Sequence, residues 1–207
     1  MVVPIKELLA NKRVVLGSQS PRRVELLREM GIDCIVMPSR ADESHPDNVL
    51  PEELPLVLAK RKADALMSYI GEHDLLITAD TIVALGQEVL EKPRTLMEAK
   101  SFLQRLSGQW HSVYSAFVIR HRGLEHHEVI ATDVRMMSLD EDEIDYYVNE
   151  CSVLDKAGGY GIQDWIGTVG IAEIRGCYNN VVGLPTAQLY QALKKVLSSS
   201  KSTHGKF

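Results

Sequence analysis

Short apolar runs alternate with amphipathic stretches along this 207-residue chain, and glycine or proline marks most of the junctions. Residues 13–17 (RVVLG) are a β-branched run that reads as a strand, followed by Ser18-Gln-Ser20 and Pro21. Serine before proline is an N-cap and N1 pair, so a helix is expected over 21–30, closed by Gly31. Residues 32–37 read as a strand and 38–50 as a polar loop. A longer helix is expected from Pro51 to Ile70, closed by Gly71. Residues 75–86 (LLITADTIVALG) read as two short apolar runs interrupted by Asp80-Thr81.

Thr95-Leu-Met-Glu98 has the capping-box pattern, so a third helix starts there and ends near Gly108. Residues 112–121 and 127–138 read as a hairpin joined through His121-Arg-Gly123. Asp140 with Glu143 caps a short helix to about Glu150, and a glycine-rich loop runs from Asp155 to Gly161. A strand near 169–174 and an amphipathic helix over 186–197 follow. The serine-rich stretch 198–207 reads as a frayed tail, leaving residues 1–197 as one domain. Strands and helices alternate, yet the hairpin demands antiparallel pairing. The expected fold class is α/β, a mixed twisted sheet with flanking helices.

Composition narrows the functional classes. Hydrophobic residues are 45% and charged residues 25%, the balance of a globular chain. At this length roughly 70% of the extended-chain surface is buried on folding, enough for a core without staples. The net charge of −5 offers no basic field for a nucleic-acid polymer, so any polyanion must meet a local basic cluster. Cys34, Cys151 and Cys177 are odd in number and far apart, which fits neither a disulfide framework nor a zinc site and suggests a reducing compartment. No apolar run reaches 18 residues, and no signal sequence is visible, so a cytoplasmic, membrane-free protein is expected. HExxH, P-loop, GxGxxG and GxSxG patterns are all missing from the sequence.

Several residues could carry chemistry. Ser18-Gln-Ser-Pro-Arg-Arg23 puts two hydroxyls and two arginines at a helix start, where backbone N–H groups attract anions. The arginines oppose the helix dipole unless a bound anion compensates, although for a lone SPRR the plainer reading of Arg22 and Arg23 is as solvated helix residues. Asp80 interrupts a stretch that should be buried, so its carboxylate must be paired, hydrogen-bonded or metal-bound. Pairing with a lysine or capping a turn would satisfy it as well as a general-base role would. Glu43, in a loop, could add the second carboxylate that Mg²⁺ needs.

Lys62 lies on an amphipathic helix, where a solvated face is the plainer reading. Lys92 is held extended by Pro93. Lys156 precedes a glycine-rich backbone, and each of these lysines alone also reads as surface decoration. The carboxamide of Gln163 complements the imide edge of uracil or thymine, and equally an adenine edge. Trp110, His111, His126 and His127 read as structural or exposed.

Taken together these segments are far more specific. Ser18-Gln-Ser-Pro-Arg-Arg-Val-Glu-Leu-Leu27, Asp42-Glu43, Ala79-Asp-Thr-Ile-Val83, Glu91-Lys-Pro93, Leu106-Ser-Gly108, Asp155-Lys-Ala-Gly-Gly-Tyr-Gly-Ile-Gln163 and Asn180-Val-Val-Gly-Leu-Pro185 occur in this order. The series resembles the Maf family of nucleotide pyrophosphatases (septum-formation-inhibitor proteins) over about residues 12–197. The resemblance implies an inosine-triphosphate-pyrophosphatase-like fold with two lobes around a cleft. It also implies hydrolysis of a nucleoside triphosphate to the monophosphate and pyrophosphate, aided by Mg²⁺ or Mn²⁺, and a homodimer.

By that resemblance Asp80 is the proton acceptor, Glu43 the second carboxylate and joint metal ligand, and Lys92 a further catalytic residue. Ser18, Arg22, Arg23, Lys62 and Lys92 match phosphate-binding positions, and Thr81 and Gln163 match positions tied to base choice. The SPRR, ADT and GIQ triplet of motifs is similar to the dTTP/UTP branch. The 7-methyl-GTP branch usually has tryptophan before its arginine and a different residue at Gln163. Gly17, Ser115-Ala116 and Gly159 depart from the usual alanine, Thr-Gly and alanine. None of the three departures is expected to touch a proposed chemical group, and Ser115-Ala116 bears on cleft packing. A modified pyrimidine triphosphate as substrate, or a nucleotide-binding regulator of cell division, are the alternative readings.

Overall fold

The computed structural model describes residues 5–46 and 48–202. In chain order the elements are α1 (Ile5–Leu8), β1 (Val14–Leu16), α2 (Pro21–Glu29), β2 (Ile35–Val36), α3 (Leu54–Leu66), β3 (Leu75–Leu85), β4 (Glu88–Leu90) and α4 (Leu96–Leu106). There follow β5 (Trp110–His121), β6 (Leu124–Met136), α5 (Glu141–Glu150), α6 (Trp165–Val169), β7 (Ile171–Arg175), α7 (Tyr178–Val182) and α8 (Thr186–Ser202). The seven strands form one sheet in the order β2-β1-β3-β5-β6-β7, with β4 also paired to β3. β1 runs parallel to β2 and β3, and the other pairings are antiparallel. The expected mixed sheet is therefore present.

Side-chain alternation along β3 organises the molecule. Leu75, Ile77 and Ala79 pack with Leu26 and Leu27 of α2 and Leu189 and Leu193 of α8. Leu76 points to the opposite face, against Ala59, Ala63 and Leu66 of α3, and Ile82 and Ala84 continue that face against Leu54 and Leu58. Val83 returns to the first side but meets α4 and α5, through Ala99, Leu103 and Tyr147. Strand periodicity of two thus sends neighbouring residues of β3 to different helices.

Several boundaries differ from the expectations, each for an identifiable reason. The apolar runs of 75–86 are one strand, because Asp80 and Thr81 pair with Ala116 and Ser115 in the β5 ladder. β6 begins at Leu124 rather than 127, since its first residues, Leu124 included, face solvent and show no buried alternation. Arg122 and Gly123 both take positive φ (50° and 74°), the geometry of a two-residue type I′ hairpin turn. The helix expected over 51–70 is α3 followed by a 3₁₀ turn at Met67–Tyr69. α1, β4, α6 and α7 are too short to leave a periodic signal. Residues 198–202, expected to be frayed, continue α8, and 203–207 lie outside the described residues.

Three helix caps were foreseen, and two of them work differently. Asp140 and Glu143 form the full reciprocal capping box. Thr95 accepts from the Glu98 amide, but Glu98 reaches Arg94 N instead of closing the box. Ser20 stands at the N-cap of α2 without a side-chain capping bond; Ser18 Oγ accepts from Ser20 N at 3.2 Å and shapes the turn instead.

Candidate active site

The alternation of β3 places two consecutive polar residues on opposite faces of the strand. Asp80 shares the face of Leu76 and so meets α3, where Lys62 sits one turn from Ala59 and Leu66. Lys62 Nζ lies 2.7 Å from Asp80 Oδ1 and 2.8 Å from Glu43 Oε1. The lysine is buried, so the solvated reading of Lys62 is corrected: its ammonium leaves water to join two carboxylates. Burial works to raise the pKa of Glu43, but the hydrogen bond and charge of Lys62, with Lys92 and Arg23 behind it, hold it below the ordinary value.

Thr81 shares the opposite face and meets α2. Arg23 is buried there, donating from Nε to the Gly183 carbonyl (2.9 Å), from Nη1 to Ser18 Oγ (3.0 Å) and from Nη2 to Thr81 Oγ1 (3.1 Å). This guanidinium joins three chain segments, so its first task is to fix the floor of the cleft. Thr81 Oγ1 also lies 2.7 Å from Ser115 Oγ, which donates to the Asn180 carbonyl at 3.0 Å. Ser115 therefore does touch a proposed site residue, contrary to the expectation, because cross-strand pairing sets it directly opposite Thr81. Gly17 is explained by the same packing: a Cβ there would come within 2.6 Å of Thr78 Cγ2 and 2.7 Å of Leu66 Cδ1.

The far wall comes from the glycine-rich segment. Arg22 donates to Asp155 Oδ2 at 2.6 Å and to the Asp155 carbonyl at 3.2 Å, spanning the cleft from α2. Lys156 is buried rather than decorative; it donates to the Ser152 carbonyl and to Asp155 Oδ1 (3.0 Å) and lies 3.5 Å from Asp164 Oδ2. Burial would raise the pKa of Asp155, but Lys156 and Arg22 outweigh it and bring it down to about 2. Tyr147 Oη donates to Asp164 Oδ2 (2.7 Å) and accepts from Gly161 N (3.0 Å). Burial pushes that phenol far above its usual range, so it stays protonated and a donor.

These walls enclose a cleft of about 640 Å³ lined by Ser18, Arg22, Arg23, Glu43, Lys62, Asp80, Thr81, Lys92 and Gln163, among others. All nine residues singled out in the sequence meet in one cavity. Lys92 and Gln163 are exposed within it. The sequence reading gave no site role to Asp155 or Gly183, tied Ser115 to cleft packing alone, and undervalued Lys156. Asp155-Lys156 before the glycines was the available signal.

Among the described residues no three His, Cys, Asp or Glu side chains group closely enough to hold a metal ion. Asp80 and Glu43 nevertheless converge on one cationic position, the Lys62 ammonium. Two carboxylates suit Mg²⁺ or Mn²⁺ when phosphate oxygens and water complete the coordination. The donor set fits a cation that arrives with its ligand.

Mixed sheet, flanking helices and a large charged cleft between α2, α3 and the glycine-rich segment define an α/β protein with a concave site of enzyme-like character. The chain belongs to the Maf-like protein family, whose model matches residues 13–196. It is 46% identical over 186 residues to a dTTP/UTP pyrophosphatase of Bacteroides fragilis strain YCH46, covering 89% of this chain and 96% of that one. A dTTP/UTP pyrophosphatase of Christiangramia forsetii is 37% identical over 195 residues, covering 94% of this chain and 100% of the relative. Among solved structures, a dITP/XTP pyrophosphatase from Mycobacterium abscessus aligns with a TM-score of 0.45 at 13% identity, over 94% of this chain and 100% of that one. Among the described residues, no helix is long and apolar enough to cross a membrane.

Proposed function

We propose that this chain is a nucleoside triphosphate pyrophosphatase that converts dTTP and UTP to the monophosphate and pyrophosphate. The observation that carries the reading is the Asp80–Lys62–Glu43 cluster at the wall of a cleft that also collects Ser18, Arg22 and Lys92. Family membership and the activity for which the relatives are named support it.

A water oxygen bonds to the α-phosphorus in line with the bridging oxygen to the β-phosphate. That P–O bond breaks, pyrophosphate leaves, and the water proton passes to Asp80. Lys62, Lys92 and Arg22 offset charge on the departing pyrophosphate. Arg23, with three donors already committed, contributes mainly by holding Ser18 and Thr81 in place. A divalent cation, Mg²⁺ or Mn²⁺, held by Asp80 and Glu43 would supply Lewis-acid neutralisation of the phosphate oxygens. Gln163 reads the pyrimidine imide edge, with Thr81 nearby. A cytoplasmic homodimer completes the reading; the three free cysteines suit a reducing compartment, and light scattering in solution tests the dimer.

The direct test is pyrophosphate release from a panel of canonical and modified triphosphates with Mg²⁺, Mn²⁺ or chelator. Fast release from dTTP and UTP, lost on chelation, is the expected result. Nucleotide binding with no release from any substrate would replace the enzyme reading with the regulator reading.

A further inference from the structure

Gln163 makes no side-chain hydrogen bond of its own, yet the residues flanking it, Gly161 and Asp164, are hydrogen-bonded in place. Gly161 N donates to Tyr147 Oη at 3.0 Å, and Asp164 Oδ2 accepts from the same hydroxyl at 2.7 Å. Asp164 N donates back to the Gly161 carbonyl at 3.0 Å, closing the turn around Gln163. Gly167 presses on it from beneath: a Cβ there would stand 1.7 Å from the Ile162 carbonyl oxygen. Tyr147 lies on α5, is 0% exposed and does not line the cleft. One phenol thus holds Gly161 and Asp164, on either side of Gln163, without itself lining the cavity.

Building on the base-reading role given to Gln163 above, we propose that Tyr147 is a positioning residue for base selectivity, acting through the Gly161–Asp164 turn. A carboxamide selects an imide edge only when its donor and acceptor stand at fixed places, since a freely turning amide accepts a cytosine or adenine edge as well. Two hydrogen bonds from a buried, inflexible ring supply that fixity. The same hydroxyl leads through Asp164, Lys156 and Asp155 to Arg22, so both ends of the wall share one polar network. The function is preorganisation: the turn is set before any base arrives.

The test is a double-mutant cycle on the full chain with Tyr147→Phe, Gln163→Ala and both together. For each, kcat/KM is measured for dTTP, UTP, dCTP and dGTP, with thermal unfolding alongside. Tyr147→Phe keeps the ring and removes both bonds; the preference for dTTP over dCTP should fall about five- to tenfold, the worth of one to two hydrogen bonds. The dCTP rate should hold steady, and the Phe substitution should have no further effect on preference in the Gln163→Ala background. A merely structural role would lower all four substrates alike and leave the preference unchanged, which overturns the proposal. A preference lost in Gln163→Ala but kept in Tyr147→Phe also overturns it, while leaving Gln163 as the base reader. An unchanged preference in Gln163→Ala removes the base reading itself and the positioning role with it. If Tyr147→Phe fails to fold, Asp164→Ala removes one of the two bonds, and a smaller fall in the preference for dTTP over dCTP is expected; an unchanged preference overturns the proposal.

Discussion

Lys62 and Asp80 stand 2.7 Å apart because an α3 position and a β3 position share one face of the sheet. The carboxylate that had to be satisfied in an apolar strand is satisfied by a lysine whose own burial demands a partner. Glu43 on the other side of the ammonium leaves the trio with one net negative charge, ready for a cation or for displacement by phosphate.

Asp80→Asn should therefore abolish turnover while sparing the fold. The asparagine oxygen still accepts from Lys62, so no buried charge is stranded, and Glu43 continues to neutralise it. Loss of a proton acceptor lowers kcat on the order of 10²–10⁴-fold. Single-turnover pyrophosphate release and a thermal melt measure the two halves. Turnover near the wild-type rate would remove Asp80 from the reaction.

Lys62→Met should move the pH profile. Burial alone would raise the Glu43 pKa, and Lys62 is the chief group that brings it down. Without the ammonium, two carboxylates face each other and Glu43 takes up its proton at higher pH. A depressed carboxylate supports activity above its folded pKa and loses it as pH falls through that value. Raising the pKa must shift the acid limb of kcat/KM upward. An acid limb that stays in place would show that turnover does not sense this pair.

How much of this was legible beforehand varied with the kind of signal. Asp80 stood out because a carboxylate inside an apolar run is costly unless paired, and the lysine partner was already one of the stated ways to pair it. Alternation along β3 would have told that Asp80 and Thr81 face different helices, had residues 75–86 been read as one strand. The cation–carboxylate link of Arg22 to Asp155 was invisible, since it joins residues 133 positions apart. So was Tyr147: in the sequence it is one more apolar position on an amphipathic helix. Its hydroxyl acquires partners only after α5 packs under the glycine-rich segment. Local patterns carried the strands, caps and charged motifs. Long-range contacts carried the wall of the site.

Gly167→Ala should be among the most damaging small substitutions in the chain. Its Cβ would meet the Ile162 carbonyl oxygen at 1.7 Å and the Ile162 carbonyl carbon at 2.4 Å. Those are backbone atoms, so relief requires the 161–164 turn to move as a body. Overpacking of this kind costs about 1–3 kcal/mol or more. The expected results are a clearly lowered thermal midpoint and a loss of dTTP preference together. A variant with wild-type melting would show that α6 can shift freely beneath the turn.

His111 should set part of the acid sensitivity of folding. It is 3% exposed, with Nε2 at 2.7 Å from Tyr160 Oη and Nδ1 without a partner. Burial lowers its pKa to about 4, against a weaker raising pull from Asp133. Between about 4 and the unfolded value near 6.5 the unfolded chain binds a proton that the native state refuses. Stability from this group is complete above about pH 6.5 and declines as pH falls toward 4, by up to about 3 kcal/mol in all. Burial lowers His121 as well, so the total slope belongs to more than one histidine. Urea midpoints at several pH values, for the wild type and for His111→Gln, separate the two. The glutamine keeps a partner for Tyr160 and should flatten the slope between pH 6.5 and 4; an unchanged slope would mean that His111 takes up its proton without disturbing the native packing.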